Sequence, residues 1–100
     1  MTKKLHAVHP GEILTEDFLN PMHLTPYAVA ALMDVPRTRI ERLAHQKTAL
    51  TADTALRLGR FFGVSPTFWM NIQAQYDLER AEDDAASSLA RITPYHYEPV

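Results

Sequence analysis

Thr25-Pro-Tyr-Ala-Val-Ala-Ala-Leu-Met-Asp-Val-Pro-Arg-Thr-Arg-Ile-Glu-Arg-Leu-Ala44 is the stretch on which the reading of this chain turns. Two apolar patterns of helical period lie in it, over 26–33 and 36–45, with only two or three residues around Asp34-Val35 between them. So short a connection makes the two helices cross steeply, which is helix-turn-helix geometry. Ala30 is small where the helices approach most closely, and Val35, Ile40 and Leu43 fall where they lock the second helix onto the first. Asp34 occupies the turn, where the backbone goes left-handed and glycine is the usual choice. Aspartate is one of the few other residues that tolerate that conformation.

The outward face of the second helix carries Arg37, Thr38, Glu41, Arg42 and His45. Such groups read bases when a helix lies in a major groove. Arginine forks onto guanine O6 and N7, and a carboxylate accepts from cytosine N4. Arg39, Gln46, Lys47, Thr48 and Thr51 lie beside that face or in the loop after it. They suit phosphate contacts, as do the N–H groups that open helices at 26 and 52. A solvated basic helix face is the bland alternative, and the helix-turn-helix spacing weighs against it.

Working outward, prolines at 10, 26, 36 and 66 each precede an amphipathic stretch, and proline suits the first position of a helix. Thr25, Thr51 and Ser65 sit where N-caps belong, and Gly63 follows Phe62 as a C-cap. The pattern predicts five helices, at 10–19, 26–33, 36–45, 52–62 and from 66 to the mid-eighties. Ile13, Leu14 and Phe18 form the stripe of the first helix. Ala55, Leu56, Leu58 and Phe62 form that of the fourth, with Gly59 admitting a neighbouring helix. The fold class is therefore all-α. Residues 1–88 are read as one domain with its helix-turn-helix at 25–44, and residues 89–100 as an extended or mobile tail.

Composition narrows the function. One hundred residues with 46% hydrophobic content afford one small core. No apolar run is long enough for a membrane span, and none follows the basic Met1-Thr-Lys-Lys4 start as a signal peptide requires. Absence of cysteine excludes disulfides, thiolate metal sites and thiol nucleophiles, and it is compatible with the cytoplasm, the expected location. The net charge of −2 conceals two regions. Residues 1–70 hold eight basic and six acidic groups, and residues 71–100 hold two and six. A basic cluster at 37–47 and an acidic one at 77–84 place opposite charge in two parts of one small domain.

Four segments carry a resemblance to a known family. They are His9-Pro-Gly-Glu-Ile-Leu14, Val35-Pro-Arg-Thr-Arg-Ile40, Thr51-Ala-Asp-Thr-Ala-Leu-Arg-Leu58 and Gly63-Val-Ser-Pro-Thr-Phe-Trp-Met-Asn-Ile-Gln-Ala-Gln-Tyr-Asp-Leu78. In order and at this spacing, they resemble the HigA/VapI antitoxins, helix-turn-helix proteins of the XRE, lambda-repressor-like class. The resemblance covers about residues 8 to 80. It implies a five-helix lambda-repressor-like DNA-binding domain with a C-terminal extension. It also implies a homodimer that represses its own operon on a double-stranded operator and neutralises a toxin resembling the RelE/HigB mRNA-cleaving ribonucleases. Family members often carry glycine or asparagine before the loop that ends the recognition helix, where this chain has Ala44-His45-Gln46-Lys47. Glu41 stands where small polar residues are frequent. Both departures bear on which operator is read.

Trp69, Gln73 and Tyr76 share one side of the fifth helix, while Phe68 and Ile72 are expected to serve the core. The surplus aromatic surface is assigned to a dimer seam, since helix-turn-helix proteins read paired half-sites. The acidic run Asp77 to Asp84 is the first candidate for a toxin-facing surface, and Glu12, Glu16 and Asp17 the second. His6 and His9 are three apart, but no third ligand at helical spacing completes a metal site. His9 is read as a cap or packing residue instead. Ser65, Ser87 and Ser88 lack a base and its orienting partner, so no catalytic role and no cofactor is expected. The alternative function is a phage-type or stand-alone repressor with no toxin.

Overall fold

The computed structural model describes residues 6–96, 98 and 99. Residues 1–5 of the expected domain and residues 97 and 100 of the expected tail lie outside the described residues. All regular structure among those described is helical: α1 (Pro10–Ile13) with a π-helical continuation (Leu14–Leu19), α2 (Pro26–Leu32), α3 (Arg37–Ala44), α4 (Ala52–Phe62) and α5 (Pro66–Ala90). The all-α reading and its helix order hold.

Helices α1, α2, α4 and α5 begin where a side chain satisfies an orphan N–H group, while α3 starts after Pro36 with no side-chain cap. The Thr25 hydroxyl accepts from Ala28 N, Thr51 from Thr54 N and Ser65 from Thr67 N. His9 caps α1 through its ring: Nδ1 accepts from Gly11 N at 2.9 Å. Helix ends follow one device. At Leu19–Leu24, Ala30–Val35 and Arg42–Lys47 a 6→1 backbone bond encloses a 5→2 bond, with His23, Asp34 and Gln46 left-handed between them. Asp34, at φ 57°, fulfils the expectation for the helix-turn-helix corner. Gln46, at φ 60°, occupies the place where glycine or asparagine would be less strained.

The core is Leu14, Leu19, Val29, Ala30, Met33, Ile40, Leu43, Leu50, Ala55, Leu58 and Trp69. Around it Phe18 packs on both Phe62 and Trp69, with ring centroids 4.8 and 5.1 Å apart. Gly11 is the contact that seats α1 on α3. A Cβ added there would lie 1.8 Å from the Leu43 carbonyl oxygen. The π-helical turn is a departure from the expected regular helix. Asn20 N bonds Thr15 O rather than Glu16 O, and the wider turn lets both Leu14 and Leu19 reach the core.

Two of the packing expectations need correction. Leu56 is 60% exposed, because the inward stripe of α4 is Thr54, Ala55, Leu58 and Gly59. Gly59 admits the start of α5 as expected, since an added Cβ would meet Val64 O and the ring of Pro66, the first residue of that helix. On α5 the faces are exchanged. Trp69 is fully buried while Phe68 is 40% exposed, and Ile72 is half-buried. Helix α5 is 25 residues long, or about 37 Å at 1.5 Å per residue, and continues past residue 88. Its inner half packs on α4 and α1, and beyond Arg80 all residues but the half-buried Ala85 are exposed.

Candidate nucleic-acid interface

Helix α3 is fixed from behind by Ile40 and Leu43, both buried. That orientation turns Arg37, Thr38, Arg42 and His45 to solvent along one side, with Glu41 half-buried among them. Gln46 and Lys47 continue this exposed row into the loop after α3, and Thr48 is half-buried there. All nine expected residues thus lie on α3 or in the loop after it, seven of them exposed and Glu41 and Thr48 half-buried. Thr38, Arg39, Arg42, Thr48 and Thr51 line one depression of about 460 Å³ between α3 and the start of α4.

Three of these residues, Arg37, Glu41 and Arg39, are engaged within the protein. The Arg37 Nε stands 3.4 Å from Glu41 Oε1, one helical turn away, and the guanidinium lies 5.7 Å from the centre of the Tyr27 ring. Arg39 donates to Asp53 Oδ2 at 2.6 Å, and Arg57 Nε donates to the same oxygen at 3.0 Å. Arg57 also donates to the Met33 carbonyl at the end of α2. One carboxylate therefore ties α3 to α4, and one guanidinium ties α4 to α2. Tyr27 and Asp53 were not singled out by the sequence reading. The i,i+4 spacing of Asp53 and Arg57 is a legible signal for the second, but nothing marks the first.

Hydrogen bonds from Arg57 and then Arg39 hold the Asp53 carboxyl below its ordinary value, against a smaller opposing effect of desolvation. Its folded value is the lower one, so its contribution is present in full above the unfolded value. It is lost as pH falls through the folded value. Asp53→Asn should therefore flatten the acid side of the stability profile below about pH 4, read by urea titration at a series of pH values. A variant whose acid-side slope matches the wild type would remove Asp53 from that account.

Beneath the loop, Leu50 N donates to Gln73 Oε1 at 2.7 Å, and Gln73 Nε2 donates to Asp77 Oδ1 at 2.8 Å. The His9 ring meets Tyr76 edge-on at 4.9 Å, and burial lowers its pKa. The expected dimer seam is corrected here. Trp69 is wholly buried and Gln73 is 4% exposed, so both serve the protomer's own interior. Tyr76 alone of the three is partly accessible. A polar residue such as Gln73 reads as outward in a hydropathy stripe, and its backbone partner on a distant loop is invisible there.

No family model matches the chain. It is 45% identical over 84 residues to virulence-associated protein I of Dichelobacter nodosus, covering 84% of this chain and 78% of that protein. Over 75 residues it is 40% identical to antitoxin HigA-1 of Vibrio cholerae, covering 75% of this chain and 70% of that one. The fold superposes on the solved structure of the Pseudomonas aeruginosa antitoxin HigA with the higBA promoter. The TM-score is 0.88 at 34% identity, with 91% of this chain and all of that chain covered, and it is 0.87 to each of two structures of one Pseudomonas aeruginosa protein in complex with its operator DNA.

Proposed function

Because the chain belongs to the HigA/VapI family of helix-turn-helix antitoxins, we propose that it is the antitoxin of a HigBA-type module: a sequence-specific, autorepressing DNA-binding protein that also neutralises a RelE/HigB-like ribonuclease. The observation that carries the DNA-binding half is the row of Arg37, Thr38, Arg42, His45 and Lys47, held outward by a helix whose other side is core. Arg37 and Arg42 read bases, while Lys47 and Thr48 hold phosphate. The protein acts by binding rather than by catalysis, as a homodimer on a two-fold operator in the cytoplasm. Residues up to about 88 form the binding domain and residues 89–100 its tail. Glu82 and Asp84 on the outer half of α5 lie apart in sequence from the recognition helix and face solvent, which supports an acidic surface for a basic toxin.

Electrophoretic shift with duplexes selected from a randomised library tests the reading. Arg37→Ala and Arg42→Ala should each cost about 1–3 kcal/mol on the selected duplex and relax the preference at one base position. Lys47→Ala should weaken selected and scrambled duplexes alike and reduce the salt slope by about one. Identical behaviour of the two classes on both duplexes would overturn the assignment. Co-purification with the product of a small basic neighbouring reading frame, and its loss of RNA cleavage in the complex, checks the antitoxin half. A repressor with no such neighbour is the alternative that result decides against.

A further inference from the structure

Tyr27 is a large aromatic that covers no core. It stands at the second position of α2, is 61% exposed, and touches the first residue of the recognition helix. Arg37 is held on two sides. The Tyr27 ring lies 5.7 Å from its Cζ, and Glu41 stands 3.4 Å from its Nε. The guanidinium has one remaining edge, the Nη1/Nη2 fork. That fork is what recognises guanine O6 and N7 together. A free arginine loses rotamer entropy on binding, and restricting it beforehand lowers the cost of placing the fork.

We propose that Tyr27 is a specificity-determining positioning residue of the DNA interface: with Glu41 it presents the terminal fork of Arg37 to a guanine edge. The inference rests on the DNA-binding reading and goes beyond it. It assigns to a residue outside the recognition helix control over one base position, and it makes Glu41 an orienter of Arg37 rather than a reader of cytosine. A phenylalanine at position 27 keeps the ring face and serves equally well.

The test is a base-preference profile from a randomised duplex library, taken for the wild type, Tyr27→Ala, Tyr27→Phe and Arg37→Ala, with thermal melting of each. Tyr27→Ala is expected to flatten the preference at the same base position as Arg37→Ala, by about two- to five-fold, which is the range of an exposed cation–π contact. Other positions, affinity for scrambled duplex and melting temperature should stay at wild-type values, and Tyr27→Phe should retain the full preference. A Tyr27→Ala profile as sharp as the wild type at that position, or flattened at a different one, overturns the inference alone. Loss in Tyr27→Phe equal to that in Tyr27→Ala overturns the ring contact as its cause. A wild-type chain that enriches no sequence overturns the DNA-binding reading, and this inference with it.

Discussion

Gly11→Ala is expected to destabilise the fold by more than about 3 kcal/mol. The added Cβ would stand 1.8 Å from the Leu43 carbonyl oxygen and 2.9 Å from its carbon, both backbone atoms of α3. Overpacking in cores costs about 1–3 kcal/mol when side chains can shift, and more when they cannot. Leu43 is 1% exposed in the centre of the core, so α3 has nowhere to retreat. Helix α1 must therefore lift. That strips the Thr15 hydroxyl from the Ala44 carbonyl and uncovers Leu14. A cost above about 3 kcal/mol is a large share of the 5–15 kcal/mol typical of a whole domain. Urea titration followed by circular dichroism measures it, and a stability within about 1 kcal/mol of the wild type would sink the argument. Gly63→Ala is the contrast. Nothing lies within 4 Å of its added Cβ, but φ is 72°, so only the left-handed strain of about 1–2 kcal/mol is expected.

Trp69→Ala should cost about 3–5 kcal/mol, the usual range for emptying a buried aromatic site. The indole is fully buried and touches Phe18 and Phe68, with ring centroids at 5.1 and 5.4 Å. Among the described residues its Nε1 has no hydrogen-bond partner, so Trp69→Phe forfeits volume but no bond seen there and should cost distinctly less. Protein concentration separates a core role from a seam. A core tryptophan lowers the unfolding midpoint equally at all concentrations. A seam tryptophan gives a loss that shrinks as the protein is concentrated, through mass action. Near-wild-type stability of Trp69→Ala at high concentration would restore the seam.

What was legible in the sequence is what local chemistry decides. Thr25, Thr51 and Ser65 cap because a hydroxyl before a helix has unsatisfied N–H groups to accept from, whatever the rest of the fold does. Asp34 turns left-handed because the spacing of two apolar stripes demands a corner there. The exposure of Arg37, Thr38, Arg42 and His45 along one side of α3 follows from Ile40 and Leu43 facing the other way. The failures all concern tertiary partners. Leu56 reads as core by hydropathy alone, but the inward places of α4 are held by Thr54, Ala55, Leu58 and Gly59, and Leu56 falls outside that face. Trp69 and Phe68 are adjacent and equally apolar, and only the position of Phe18 and Phe62 decides which turns in. Gln73 looks like a surface residue until the Leu50 amide is found above it.

The unequal halves of α5 have a consequence for time rather than for shape. Amides near Trp69 and Gln73 are locked to the core, so their hydrogens exchange with solvent only when the whole domain opens. Past Arg80 the helix is exposed at all but Ala85 of its described residues, and a helical segment that short is marginal in water. Its amides exchange through local fraying, orders of magnitude sooner, and a protease reaches it first. Whatever covers Leu78 and Leu89, which are 54% and 48% exposed, slows that clock. Exchange rates along this one helix therefore register whether the protein is alone or engaged.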